Sequence, residues 1–143
     1  EIYDAVGAAT GPELTNASTM ALAGSGDATL ISGVVIGGTG TVKLLIRAIG
    51  PTLAEDYGVT DALADSSIKI VQDGTVLFTN DDWGTSPNVD EIESAAATVG
   101  AFAISRSSQD AAVLIELPPG PYSVISEAVG EPGRVLMEIY RVP

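Results

Sequence analysis

The sequence contains no cysteine and no histidine among its 143 residues. The chain therefore has no thiolate nucleophile, no disulfide, no zinc site of the usual kind and no imidazole base, and most familiar hydrolase mechanisms are excluded. Aromatic residues are few, with one Trp, four Tyr and two Phe. Paired carboxylates could still serve a glycosidase, but sugar-cleaving sites usually need aromatic platforms that this chain can hardly supply. We predict that the protein is not an enzyme and has no organic cofactor.

Basic residues are also scarce, because six Lys and Arg stand against nineteen Asp and Glu, for a net charge of −13. This charge repels phosphate backbones and anionic membrane surfaces, so nucleic-acid binding is excluded. No apolar run reaches the ~18 residues of a membrane helix, and we expect no membrane insertion. Only 17% of the residues are charged, against about 25% in a typical soluble domain, so part of the surface is expected to contact protein.

The absence of cysteine also bears on location, since many bacterial surface proteins avoid this residue. The start of the chain, Glu1–Asp4, is neither basic nor followed by an unbroken apolar core, so it does not resemble a signal peptide. We interpret the chain as a mature form and expect an extracellular or cell-surface location. Its length fits a single domain over residues 1–143.

Short apolar segments alternate with glycine-rich turns in the first half of the chain. Residues 29–36 and 42–49 are rich in β-branched side chains and flank a glycine-rich turn, which predicts a hairpin. Residues 68–71 and 76–78 flank Asp73-Gly74, a dipeptide that suits the positive φ angles of a tight hairpin turn. This second hairpin is the sharpest local prediction.

The C-terminal third predicts a meander of three strands, at residues 112–117, 122–126 and 134–141. Strand periodicity indicates which side chains face a core. We expect ten of them to be largely buried: Leu44, Ile46, Ile49, Ile70, Phe78, Val113, Ile115, Val124, Val135 and Met137.

Helix signals are limited to two short segments. Asn88 can cap a helix whose first turn is acidic and whose end is marked by Gly100. A second, shorter helix is expected to start at Pro51 and to stop before Gly58. Many short strands with one or two short helices predict an all-β fold, a β-sandwich or jelly roll.

The second half of the chain carries an ordered set of motifs. Asp73-Gly74 is followed by Asn80-Asp81-Asp82, an acidic loop, an apolar strand and Leu117–Tyr122. This order resembles the bacterial pre-peptidase C-terminal domain, a secreted β-sandwich, although Pro121 departs from its usual pattern. The resemblance implies a non-catalytic binding or targeting module, directed to carbohydrate or to a cell surface.

A second resemblance spans nearly the whole chain. Leu45–Ala54, which reads LIRAIGPTLA, precedes Asn80–Trp83 at a distance similar to that in a repeat module of large secreted bacterial surface proteins. That resemblance implies an extracellular location and a β architecture. It implies no chemistry.

Carboxylates concentrate around the loop that follows residue 79. Asn80, Asp81, Asp82 and Asp90 could converge on a hard cation, for which calcium would be suitable. Alternatively, Asn80 and Asp81 make local turns while Asp90 favours a helix N-terminus. Both interpretations stay open at the level of sequence.

Arg47 interrupts the apolar run from Leu44 to Ile49. A guanidinium in such a strand is expected to be buried or half-buried, and it then requires a carboxylate or several carbonyl groups as partners. It would serve as a structural clamp on the Gly50-Pro51 loop or, alternatively, as an anion site.

The tripeptide Glu1-Ile2-Tyr3 recurs as Glu138-Ile139-Tyr140 near the other end. The two copies could be neighbouring strands of one sheet. Alternatively, residues 1–6 or the C-terminal strand pair with another copy of the chain. The residues expected to mediate this assembly are Ile2, Tyr3, Val135, Met137, Ile139 and Tyr140.

These observations lead to two functional hypotheses. The first is an extracellular structural subunit whose partners are copies of itself, assembled into a filament or array through terminal β-strand pairing. The alternative is a non-catalytic binding or targeting module of a secreted protein.

Overall fold

A computed structural model describes residues 14–143 of the chain. These residues form eight strands and two α-helices, joined by loops and turns. In chain order they are β1 (Asn16–Ala23), β2 (Leu30–Ile36), β3 (Val42–Ile49), α1 (Pro51–Tyr57), β4 (Ser66–Gln72), β5 (Thr75–Asn80), α2 (Val89–Thr98), β6 (Ala111–Leu117), β7 (Gly120–Ala128) and β8 (Gly133–Val142). Short 3₁₀ turns lie at Gly26–Ala28 and Trp83–Thr85.

The strands form two four-stranded antiparallel sheets. Sheet A has the strand order β1-β8-β3-β6, and sheet B has the order β2-β7-β4-β5. The chain crosses from one sheet to the other at every connection except the β4–β5 hairpin. This alternation is the jelly-roll form of the β-sandwich, and it confirms the predicted fold class.

The predicted hairpin of residues 29–36 and 42–49 is wrong. β2 pairs with β7 in sheet B, whereas β3 pairs with β6 and β8 in sheet A. The C-terminal strands likewise alternate between sheets and do not form a meander. An apolar alternation shows only that one face of a strand is buried, so local periodicity is the same for a hairpin and for a crossing between sheets. Strand β1 was not predicted.

The β4–β5 hairpin is confirmed. Asp73 and Gly74 both adopt positive φ angles, of 50° and 78°, which a tight hairpin turn requires. Between Ile70 and Val71 the register shifts by a bulge, which distorts this edge of sheet B.

Both predicted helices are present. α1 begins at Pro51 and is followed by Gly58 in the left-handed conformation. α2 follows Asn88 and ends before Gly100, but the Asn88 side chain makes no capping hydrogen bond, contrary to the prediction. Within residues 14–143, neither helix is long and apolar enough to cross a membrane.

Two apolar clusters hold the layers together. The larger lies between the sheets and includes Ile46, Val113, Val124 and Val135. The smaller lies on the outer face of sheet A. There Leu45 and Ala112 pack against Ile92 of α2 and against Trp83 of the preceding 3₁₀ turn. The protein therefore has a third layer, formed by α2 and its flanking loops, over part of sheet A.

The prediction of buried residues is largely confirmed. Eight of the ten side chains are buried, and Ile115 is half-buried against the larger cluster. Phe78 is 42% exposed and the prediction for it is wrong. The reason is that β5 is an edge strand, where one flank of each side chain has no neighbouring strand.

Replacing Ile46 with alanine should test the larger cluster. Ile46 is fully buried, and truncating such a side chain costs about 2–5 kcal/mol of unfolding free energy through lost burial and a residual cavity. The matched control is Val76→Ala, since Val76 is 52% exposed and should change stability by less than about 0.5 kcal/mol. Equal losses for both variants in urea unfolding would contradict this assignment of the core.

Candidate functional site

Arg47 lies at the centre of the buried outer face of sheet A. In the strand register it stands opposite Glu138 of β8 on one side and Ala112 of β6 on the other. Its Nε donates to Glu138 Oε2 over 2.8 Å, and Nη2 donates to the same oxygen. Both side chains are buried. The prediction of a buried guanidinium with a carboxylate partner is confirmed.

Two aromatic residues complete what we call the Arg47 cluster, namely Arg47, Glu138, Phe102 and Tyr140. Nη1 of Arg47 donates to the Phe102 carbonyl oxygen over 2.6 Å, and the guanidinium carbon lies 4.4 Å from the Phe102 ring centre. The Tyr140 hydroxyl donates to Glu138 Oε1 over 2.8 Å. Burial, followed by this hydrogen bond to Glu138, raises the pKa of Tyr140 to about 12. The cluster thus connects β3 and β8 with the loop after α2.

A second buried carboxylate, Asp110, holds the corner between β3 and α1. Its oxygens accept hydrogen bonds from the Gly50 amide (2.8 Å), the Thr52 amide (3.3 Å) and the Thr52 hydroxyl. Amides at the start of a helix favour negative charge, so this carboxylate is satisfied without a cation. Asp110 was missed by sequence reasoning, since a single Asp ahead of an apolar strand has no distinctive pattern.

The Asn80–Trp83 motif is also engaged inside the chain. Oδ1 of Asn80 accepts a hydrogen bond from the Ala112 amide over 2.9 Å, and its Nδ2 donates one to the Ser86 hydroxyl over 3.0 Å. The buried Trp83 donates its indole N–H to the Ser105 carbonyl oxygen over 2.9 Å. Next to it, a Cβ on Gly84 would lie 1.8 Å from the Arg106 carbonyl oxygen, so only glycine allows this approach.

An open cleft of about 480 Å³ lies between the end of β5 and the start of β4, and we call it the acidic cleft. Its lining residues are Ser67, Ile68, Lys69, Thr79, Asn80, Asp81, Asp82, Thr85 and Val129. None of them is aromatic, so the cleft has no ring on which a sugar could stack.

Asp65 is electrostatically coupled to this cleft. Burial raises the pKa of its carboxyl, and the charges of Asp81 and Asp82 raise it further. One carboxylate oxygen accepts a hydrogen bond from Gln109 over 2.9 Å, while the other is buried without a partner. Negative charge is therefore unfavourable at this position.

The structure places three of the four predicted calcium ligands in one cleft and the fourth, Asp90, on α2. Asn80, Asp81 and Asp82 line the acidic cleft, although the side chain of Asn80 is used by Ser86 and Ala112. Asp90 lies on α2, where it pairs with Arg106 at 2.7 Å. Within residues 14–143, no group of three or more acidic residues is arranged to hold a metal ion. Calcium binding stays a prediction.

The residues predicted for assembly have internal roles in β8. This strand lies between β1 and β3, so both of its edges are paired within its own chain, and it is not the open edge that we expected. Val135 and Met137 are buried between the sheets, Ile139 packs against them, and Tyr140 belongs to the Arg47 cluster. Ile2 and Tyr3, with the rest of residues 1–6, lie outside the described residues.

Comparison with known proteins supports the fold. No protein-family model and no curated protein sequence matches the chain. Among solved structures, it is similar to the pre-peptidase C-terminal domain of collagenase from Bacillus anthracis, with a TM-score of 0.50 and 9% sequence identity. The match covers 87% of this chain and 89% of that chain. The likeness shows that the two share a fold, which confirms the first resemblance at that level, while the resemblance to the surface-protein repeat stays a prediction.

Breaking the Arg47–Glu138 pair should destabilise the fold strongly. Arg47→Met leaves a buried carboxylate without its cation, which costs about 3–5 kcal/mol of unfolding free energy. Adding Glu138→Leu removes that charge and should recover part of the loss. The matched control is Arg134→Met, because the Arg134–Asp61 pair is partly exposed and such pairs contribute about 0–1 kcal/mol. If Arg47→Met costs no more than Arg134→Met in denaturant unfolding, the structural role assigned to the pair is wrong.

Asp65→Asn should stabilise the protein at neutral pH but not in acid. The folded-state pKa of Asp65 is raised above its usual value of 3.8. Ionisation of this carboxyl is therefore less favourable in the folded than in the unfolded protein, and the free energy of unfolding falls as pH rises through that range. Unfolding curves at about pH 3 and about pH 7 measure the difference. Asp61→Asn is the control of opposite sign, because the hydrogen bond from Arg134 lowers the pKa of Asp61. A pH-independent effect at Asp65 would contradict the assignment.

Proposed function

We propose that the chain is a non-catalytic module of a secreted bacterial protein, and that its role depends on remaining folded outside the cell. The observation that carries this proposal is that the polar side chains of the candidate site form their hydrogen bonds within the chain. Arg47, Glu138, Asp110 and Asn80 all bind groups of their own chain. A catalytic or ligand site would need such side chains directed toward a bound molecule.

The distribution of basic residues supports the same role. Five of the six lie within strands: Lys43, Arg47, Lys69, Arg134 and Arg141. The sixth, Arg106, lies in the loop after α2, where Asp90 and Glu93 both pair with its guanidinium. Proteases that cut after Lys or Arg require an extended, accessible segment, so the fold offers them one loop site. With no cysteine, the fold is also independent of redox conditions.

Self-assembly through the N-terminal segment is a second candidate. In β8, Glu138 neutralises Arg47 and Tyr140 binds Glu138, while Ile139 faces the core. Glu138-Ile139-Tyr140 is thus suited to a strand that lies next to a buried arginine, because it supplies the carboxylate, the hydroxyl and one core side chain. Because Glu1-Ile2-Tyr3 has the same sequence, it carries the side chains for an equivalent strand in another copy or module. Since β8 is paired on both edges, the candidate depends on residues 1–6 alone.

Trypsin digestion and cell fractionation test the main proposal. Under native conditions the first cut within residues 14–143 should follow Arg106, and Arg106→Gln should remove it, because the other basic residues lie in paired strands. Lys43→Gln is the matched control and should leave digestion unchanged. In the bacterium that encodes the chain, an antibody should find it in the medium or on the cell surface. Early cuts in several strands, or a purely cytoplasmic location, would contradict the proposal.

A further inference from the structure

One side of the sandwich carries no charge in its strands. β1 and β2 are edge strands of sheets A and B, and they contact each other across the sandwich. Neither Asn16–Ala23 nor Leu30–Ile36 contains a single Lys, Arg, Asp, Glu or Pro. Edge strands of soluble proteins are usually protected by charge, proline or a bulge, because their free backbone groups can pair with another chain. Within residues 14–143, this side lacks all three protections.

β2 carries two of the most exposed apolar side chains of this side. Its outward-facing Ile31 and Val35 are 60% and 76% exposed. They stand opposite Ile125 and Pro121 of β7, so the apolar surface continues from the edge onto sheet B. The other edge of sheet B, β5, differs because its hairpin contains the bulge at Ile70/Val71.

The sequence of β2 is nearly symmetric about Gly33. Apolar residues occupy the positions two and three residues away on both sides, as in Leu30-Ile31-Ser32-Gly33-Val34-Val35-Ile36. If two β2 strands pair in antiparallel fashion with Gly33 opposite Gly33, Ile31 of each copy stands opposite Val35 of the other. Such cross-strand pairs of β-branched residues stabilise sheets. The arrangement is two-fold symmetric and therefore closes as a dimer.

We propose that β2 is a self-association interface, through which two copies join their B sheets into one continuous eight-stranded sheet centred on Gly33. The near-symmetric sequence of β2 favours a second copy as the occupant, and the absence of charge in β2 makes this edge the place where two such copies repel each other least. Each chain carries −13, so two copies repel each other wherever acidic surfaces meet. Pairing at β2 brings together strands that have no charge, and it places the apolar Ile31 of one copy beside Val35 of the other.

Gly33 offers a direct test, because a side chain fits there in the monomer. A Cβ at this position meets no atom within 4 Å, and its φ angle is not positive. In the proposed register, Gly33→Asp places two carboxylates opposite each other, and Gly33→Lys places two ammonium groups opposite each other. Like charges in directly opposed positions destabilise strand pairing. Mixing the two variants creates an Asp–Lys pair and should restore association.

Sedimentation velocity of the full chain over a range of concentrations should show a dimer for the parent protein. The Gly33→Asp and Gly33→Lys variants should each be monomeric and should keep the circular dichroism of the folded parent protein, and their equimolar mixture should dimerise. Val76→Asp, on the exposed edge strand β5, is the matched control and should remain dimeric. A chain that lacks residues 1–6 should also remain dimeric.

Three results would overturn the proposal. The first is a parent protein that stays monomeric at every concentration. The second is a mixture of the two Gly33 variants that fails to associate, since this would exclude the register. The third is association that survives both Gly33 substitutions but is lost on deletion of residues 1–6, which would assign it to the N-terminal segment. None of these results bears on secretion or catalysis, so the proposed function is tested separately.

Discussion

The buried ion pair between Arg47 and Glu138 is the interaction on which the outer layer of this protein depends. A guanidinium in the middle of a covered sheet face is tolerated only where a carboxylate and further acceptors surround it. Glu138 supplies the carboxylate from the adjacent strand, and the Phe102 carbonyl supplies another acceptor from the loop above. This hydrogen bond therefore attaches that loop, and with it part of the layer over sheet A, to the buried Arg47.

Two of the sequence motifs lie at the border of this layer. Asp110 binds Gly50 of the Leu45–Ala54 motif at the start of α1, and Trp83 and Asn80 of the second motif fix the turn that leads to α2. Each of these contacts joins segments that are distant in the sequence. The motif residues therefore attach the outer layer to sheet A.

The sequence predicted those features that depend on local chemistry. Asp73-Gly74 specified a turn, Pro51 and Gly58 bounded a helix, and Arg47 required a buried partner. It did not predict which strands pair, because β2 and β3 have the same alternation whether they form a hairpin or lie in different sheets. The exposure of Phe78 and the role of Asp110 depend on that pairing and were missed for the same reason. Of the candidate site, the sequence identified Arg47 but not Phe102, which reaches it through tertiary structure alone.

Hydrogen exchange at the Nε–H of Arg47 tests most directly whether the motif residues are structural. This proton is donated to Glu138 in a buried environment, so its exchange should require unfolding of the sheet and should be as slow as that of the slowest backbone amides in β3 and β8. ¹⁵N-detected NMR in D₂O would measure both rates. Fast exchange of the Nε–H beside protected amides would mean that Arg47 is accessible in the native state, and it would contradict a structural role for the Arg47–Glu138 pair.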